Sequence, residues 1–283
     1  GENLDFALKI HADMLFRSNF PAAEMDKERQ AILEEINISE DRPFSTAYRS
    51  SLSALYGKHP YSKNVLGTKE NVSSIPRDSI YAYYKRYYAP NNMTMVIVGD
   101  VAPESTMELV KQYFGGFPEG TVPKDNYAEP PKRGEVVAQE IKKDVGQAYL
   151  MMSTIGPDIA SSDQFTCDIM AALLGTGESS RLFKKLKDEL GLVYSVGFSF
   201  YTSKYEGMLF SFATLDPSNL ASVEETINEV LNEVRENGFT EQELQKAKND
   251  IKTNHYTSLE RGLDLKTGKQ LWSYDPEVPR EWG

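Results

Sequence analysis

The chain predicts an α+β protein of two similar domains, each an antiparallel-dominated sheet backed by helices. Three observations predict it. Long segments carry apolar residues at helical spacing, as in Leu4, Ala7, Leu8, Met14 and Leu15. Shorter apolar runs, bounded by Gly and Asp or by turn residues, read as strands. A stretch rich in Pro and charge, residues 118–134, then divides the chain into halves in which helices and strands are read again. The expected division is a first domain over 1–117, a linker over 118–134 and a second domain over 135–283.

In the first half the period is helical from Leu4 to Ser39, with a turn at Asn19-Phe20-Pro21 separating two helices. Asp41-Arg42-Pro43 ends the second of these, because the residue before a proline avoids the helical region. Phe44 to Tyr56 reads as a third helix, closed by Gly57-Lys58-His59-Pro60, and 60–76 as a loop containing Gly67. Arg77 to Tyr88 is a helix with Tyr81, Tyr83, Tyr84, Tyr87 and Tyr88; the stripe suits core packing with hydroxyls toward water, or a binding surface. Met93 to Val98 is a continuous apolar run and reads as a buried strand, ended by Gly99-Asp100. That turn has no Gly-rich loop, so it is not read as a phosphate site. Pro103 to Phe114 is a helix closed by Gly115 and Gly116.

In the second half, strands are expected near 135–141 and 147–154, then a helix over 162–174. A helix over 180–190 follows, capped by Ser179 or Ser180, striped by Leu182, Phe183, Leu186 and Leu190, and ended by Gly191. Tyr194 to Tyr201 and Gly207 to Thr214 read as paired strands around a turn near Ser203 to Glu206. Asn219 to Asn237 is an amphipathic helix with Val223, Ile227, Val230, Leu231 and Val234, stopped by Gly238. Thr240-Glu241-Gln242-Glu243 is a capping box that opens a last long helix.

Composition narrows the function classes. The 283 residues are enough for two domains with sizeable cores, and 40% hydrophobic residues exclude a disordered chain. Forty-two acidic against 31 basic residues give a net charge of −11, which argues against nucleic acid or an anionic membrane as the main partner. No segment approaches the roughly 20 apolar residues of a membrane-spanning helix. The single cysteine, Cys167, has no intrachain disulfide partner and lies in an apolar helical run, Phe165 to Leu174, as a structural thiol. The compartment stays open.

Two places carry candidate chemistry. Glu28 and Glu35 are seven residues apart on one helix, two turns, so both carboxylates project from one face near Ile32 and Ile36. A carboxylate held against apolar surface needs a partner, and a metal ion is one; a solvated acidic face is the alternative. Farther on, Arg181 stands at a helix start and Tyr194 at a strand start. A guanidinium fork and a phenol suit holding a peptide carbonyl or a developing oxyanion; a surface Arg and a half-buried strand Tyr are the alternative.

These segments do not stand alone. Asp13-Met14-Leu15, Glu28-Arg29 to Glu35-Ile36, His59-Pro60-Tyr61, Leu66-Gly67 and Tyr88-Ala89-Pro90-Asn91-Asn92-Met93 come in one order. Val96-Ile97-Val98-Gly99-Asp100, Ser179-Ser180-Arg181-Leu182-Phe183 and Gly191-Leu192-Val193-Tyr194-Ser195 continue it. This ordered series resembles the M16 family of zinc metallopeptidases, the insulinase, pitrilysin and mitochondrial processing peptidase group. The resemblance implies a zinc-dependent endopeptidase that cleaves peptides or unfolded segments in a chamber between domains. It implies Zn2+ as cofactor, Glu35 as a metal ligand and Glu28 as a supporting acidic residue of the catalytic centre. It also implies Arg181 and Tyr194 as catalytic, substrate-contacting residues. Implied partners are a peptide substrate and another chain of the same type, in a homodimer or heterodimer.

One departure is plain. The family's inverted metal motif, H-x-x-E-H, is absent: the three histidines are His11, His59 and His255, none has a second His four residues away, and none has Glu three residues after it. A catalytic zinc needs roughly three protein ligands and an open position, so Glu35 alone does not hold one. The chain therefore reads as a middle portion of a longer polypeptide, inactive by itself, with the motif expected upstream. The alternative function is a non-catalytic partner or structural subunit of a processing-peptidase-like complex; a plain interaction scaffold is a third reading.

Overall fold

A computed structural model describes residues 3–124, 127, 130 and 134–259. Most of the central residues of the expected linker, and the end of the chain around Glu281-Trp282-Gly283, lie outside the described residues. The chain is mixed α and β, and it divides into two compact units: residues 1–46 with 63–128, and 47–62 with 129–283. The division is not linear, because 47–62, expected with the first half, packs in the second unit.

The regular elements among the described residues of the first unit are helices: α1 Leu4–Phe16, α2 Ala22–Asp41, the first residues of α3 Pro43–Tyr56, α4 Lys69–Ser74, α5 Arg77–Tyr87 and α6 Pro103–Phe114. Buried Leu8 and Ala12 turn α1 inward, and α1 lies against α6, where the Tyr113 hydroxyl donates to Asp5 at 2.8 Å. Phe16 stacks on Phe117 at 4.3 Å between ring centroids and meets Phe114 edge-on. The turn after α1 places Phe20 at φ +48°, unusual for a bulky residue. Arg77 holds it there, donating to the carbonyls of Asn19 (2.6 Å) and Phe20 (3.0 Å), while the Phe20 ring packs on Tyr84. Of the tyrosine stripe, Tyr84 is buried, whereas Tyr83 and Tyr88 are exposed. Helix α4 occupies part of the span expected as loop, with Thr68 capping it through its hydroxyl to the Asn71 amide.

The strand expected over Met93–Val98 does not form. These residues are without secondary structure, and Met95, Val96 and Val98 are exposed. An apolar run becomes a strand only when a neighbour takes up its backbone groups, and no described residue of this unit pairs with it. The sheet expected in this half is likewise not found among the described residues.

The second unit holds a three-stranded antiparallel sheet of β1 Ala148–Gly156, β2 Val193–Tyr201 and β3 Gly207–Leu215, in the order β1-β3-β2. The pairs run from Ala148–Leu215 to Gly156–Gly207 and from Val193–Leu215 to Tyr201–Met208. The central strand β3 is covered on both faces. Ala213 and Leu215, with partly buried Leu209, enter one core with Leu174, Leu182, Leu186, Val223 and Ile227. Met208 and Phe210 enter a second core with Leu55 and Tyr56 of α3, which is why 47–62 belongs to this unit. The period of two along β3 therefore separates two cores. The strand expected near 135–141 does not form; Val136, Val137 and Ile141 are exposed there.

Helix α7 Asp163–Gly175 packs on β2 so closely that a Cβ at Gly175 would stand 1.8 Å from the Phe198 amide nitrogen, so only glycine ends this helix. Helices α9 Leu220–Asn237 and α10 Glu241–Leu259 complete the unit; α9 buries Val223, Ile227 and Val230. The expected 180–190 helix opens as a short α8, Arg181–Phe183, and continues as a π-helical turn over Lys184–Glu189. The Leu190 amide reaches the Lys185 carbonyl at 3.2 Å, five residues back. Gly191, at φ +62°, ends the turn.

Candidate functional site

Helix α2 sets the direction of the two glutamates. Its inner stripe is Ile36, 1% exposed, and Arg29, whose side chain is 19% exposed. The Arg29 fork donates to the carbonyls of Val72 and Ile75, and Glu40 pairs with Lys69 at 2.6 Å; these contacts fix how α2 is rolled. Glu28 and Glu35 each precede a residue of that stripe by one, so they form a parallel stripe about 100° around the helix. Both are exposed, and neither has an ion-pair partner among the described residues. The structure thus places the two carboxylates together on an outward face beside the core, rather than buried against it.

The zinc that the sequence points to can be tested against these donors. Among the described residues, no group of three or more His, Cys, Asp or Glu side chains is gathered for a metal ion. His11 uses Nδ1 on the Ala7 carbonyl at 2.8 Å, within its own helix. Two exposed carboxylates two turns apart fall short of the roughly three ligands of a catalytic zinc. The described residues therefore do not fit the metal by themselves.

In the second unit, Arg181 and Tyr194 sit at the two ends of one segment, and their surroundings differ. Arg181 is occupied internally. Its Nε and Nη2 make a bidentate pair with Glu243 at 2.8 and 2.9 Å, Nη2 also donates to the Gly238 carbonyl at 3.2 Å, and the guanidinium lies over the Phe239 ring. Nη1 is buried, with Glu233 at 3.7 Å. Glu243 is at the same time the acid of the α10 capping box, accepting from the Thr240 amide and hydroxyl, each at 2.8 Å. The Arg181 hydrogen bonds hold the Glu243 carboxyl down at about 2, and Glu243 pushes the Arg181 guanidinium up. Direct contact between Arg181 and a substrate would require Glu243 to be displaced.

Tyr194 is open. Val193 pairs with Leu215 and Ser195 with Thr214, so two steps along β2 match one along β3, and Tyr194 is the extra residue of a β-bulge. The bulge breaks the alternation: Val193 is buried, while Tyr194 and Ser195 are both exposed, Tyr194 at 53%. The Tyr194 hydroxyl makes no hydrogen bond among the described residues. Bulges that turn a side chain outward are common beside active sites, as are π-helical turns such as Lys184–Glu189 just before it. Sequence periodicity did not reveal either feature, because both depend on which partner each backbone group finds.

Cys167 is half-buried, and burial, with Asp163 and Asp168 nearby, pushes its thiol up; it is not poised as a nucleophile. No helix among the described residues is long and apolar enough to cross a membrane.

Comparison with known proteins shows the family to which the chain belongs. Residues 74–251 match the family described as the peptidase M16 inactive domain, and the chain belongs to the M16 family. It is 31% identical over 261 residues to the uncharacterized zinc protease YmxG of Bacillus subtilis, covering 92% of this chain and 62% of that protein. It is 28% identical over 264 residues to the uncharacterized zinc protease ML0855 of Mycobacterium leprae, covering 91% and 58%. Among solved structures, a protease from Helicobacter pylori superposes with a TM-score of 0.84 at 25% identity, covering 92% of this chain and 64% of that one. The chain thus spans 62% and 58% of the lengths of the two bacterial zinc proteases.

Proposed function

We propose that the full natural polypeptide is a zinc-dependent endopeptidase, in which these residues contribute one metal ligand and one substrate-contacting hydroxyl. The observation that carries this reading is Tyr194, lifted out of the strand by a bulge with its hydroxyl open. Family membership and the zinc-protease names of the relatives support the reaction class. In this reading Glu35 would be one ligand of the zinc, Glu28 would support the centre from beside it, and the remaining ligands would come from outside the described residues. Zinc, when bound, supplies Lewis acidity toward a peptide carbonyl and an acidified water. Tyr194 donates to the carbonyl oxygen of the bound peptide, where negative charge develops. Arg181, held by Glu243, acts by anchoring the segment that ends at Tyr194.

A second reading has a specific observation behind it. The matched family description is that of an inactive domain, which favours a non-catalytic partner that binds peptide or pairs with another M16-like chain. Zinc stoichiometry and chelator-sensitive cleavage of a quenched peptide library by the full polypeptide separate the two. The peptidase reading expects about one zinc per chain. It also expects a roughly hundredfold lower kcat for Tyr194→Phe with zinc content unchanged. Less zinc is expected to be retained by Glu35→Gln. No zinc and no cleavage would leave the partner-subunit reading.

A further inference from the structure

The phenol of Tyr194 is useful only if the bulge aims it reproducibly, and a bulge at a strand start has few ladder bonds to hold it. The segment leading to it is anchored at its start and in its middle. Arg181 is clamped by Glu243, and Leu182 and Leu186 are fully buried. Only residues 190–192 separate the end of the π turn at Glu189 from the start of β2 at Val193. The Leu192 amide still bonds back to the Leu186 carbonyl at 2.9 Å. The Leu192 carbonyl is taken by a side chain from elsewhere: Asn219 donates to it through Nδ2 at 3.1 Å.

Asn219 is well placed for this. It closes the 3-10 turn Pro217–Asn219, which Asp216 caps by accepting from the Ser218 amide at 2.9 Å and hydroxyl at 2.6 Å. The Asn219 amide bonds to the Asp216 carbonyl at 2.9 Å. Directly after it α9 begins, with Val223 and Ile227 fully buried. On the other side of the bulge, Ser195 and Thr214 share a hydroxyl hydrogen bond at 2.7 Å. Tyr194 therefore projects from a short span held at Leu192 by Asn219 and at Ser195 by Thr214.

We propose that Asn219 is a positioning residue for Tyr194: its side-chain amide, through the Leu192 carbonyl, sets the direction of the bulged phenol. The functional part of this proposal rests on Tyr194 contacting substrate; the positional part does not. Asn219→Asp is the sharpest probe, because an ionised carboxylate of the same shape accepts but cannot donate to a carbonyl. Asn219→Ser, smaller and still a donor, guards against a fold lost to carboxylate–carbonyl repulsion.

Two readouts in the full natural polypeptide test it. The first is the 19F resonance of 3-fluorotyrosine placed at position 194. A shifted or broadened signal in a folded Asn219 variant is expected, and an unchanged signal in both variants overturns the proposal whether or not the protein cleaves peptides. The second is a double-mutant cycle on kcat. Asn219→Asp is expected to lower kcat roughly tenfold to hundredfold, and to have little further effect once Tyr194 is Phe. An equal loss in both backgrounds would mean that Asn219 acts on general stability and would overturn its positioning role. Full turnover in Tyr194→Phe alone would instead remove Tyr194 from the reaction, leaving the 19F result to decide the positional claim.

Discussion

The two units bury their apolar residues to very different degrees. In the second, a closed set of side chains from α7, α8, the π turn, β2, β3 and α9 meets with Leu174, Leu182, Leu186, Leu215, Val223 and Ile227 all fully buried. In the first, helices pack in pairs, fully inward residues are few, and Phe6, Ile10 and Met14 of α1 remain exposed at four-residue spacing. The difference is the sheet. A sheet offers a flat apolar face on which several helices bury their stripes at once; helices without one satisfy each other only along narrow seams. The lesson is that equally amphipathic sequence yields unequal cores, depending on whether a common surface is present to receive it.

The largest test of that contrast is Leu186→Ala, which should destabilise the second unit by about 4 kcal/mol, read by urea unfolding. A cost under about 1 kcal/mol would mean that this core is loosely packed after all. In the first unit the tie between α2 and α4 is polar, and Arg29→Met should cost about 2 kcal/mol by leaving the Val72 and Ile75 carbonyls without their charged donor. Little change on this substitution would show that α2 is held by apolar contact instead.

Glu243→Gln should cost about 1 kcal/mol, because the pair with Arg181 is partly exposed and glutamine still completes the capping box. Its pH dependence has a definite sign. Folding lowers the Glu243 carboxyl from 4.5 to about 2, so its contribution is fully present above pH 4.5 and is lost as pH falls through about 2. The stability gap between wild type and Glu243→Gln should therefore close over that acidic range, as followed by thermal unfolding; a gap independent of pH would rule out the ion pair as its cause. Smallest of all, Val96→Ser should change stability by no more than about 0.5 kcal/mol in a chain of these 283 residues, since Val96 is exposed. A cost of about 2 kcal/mol in the full polypeptide would show that this extended run is covered there.

Much of the architecture was legible residue by residue. The helices α1, α2, α3, α5, α6, α7, α9 and α10 and the strands β2 and β3 follow from apolar spacing and from stops such as Gly115 and Gly238. The strands expected at 93–98 and 135–141 fail for one reason: an apolar run states that a segment can pair, not that a neighbour is available. The 47–62 segment was assigned by its position in the chain, but Leu55 and Tyr56 follow the apolar face of β3. For the candidate site, the two-turn spacing of Glu28 and Glu35 was enough to put them on one face, yet only Arg29 and Ile36 reveal that the face looks outward. Arg181 and Tyr194 were equally prominent in the sequence and come out unlike, one tied to Glu243 and one open on a bulge.

The sequence by itself determined the α+β class, the order of most elements, the capping box at Thr240–Glu243 and the absence of an H-x-x-E-H motif. These are local properties, set by side-chain period and by the conformational limits of Gly and Pro. The tertiary structure alone decided that Arg181 is internally paired, that Asn219 holds the Leu192 carbonyl, and that Tyr194 is lifted out of its strand. Each of those depends on a hydrogen-bond partner far away in the chain, and a donor or acceptor carries no mark of which distant group it will meet.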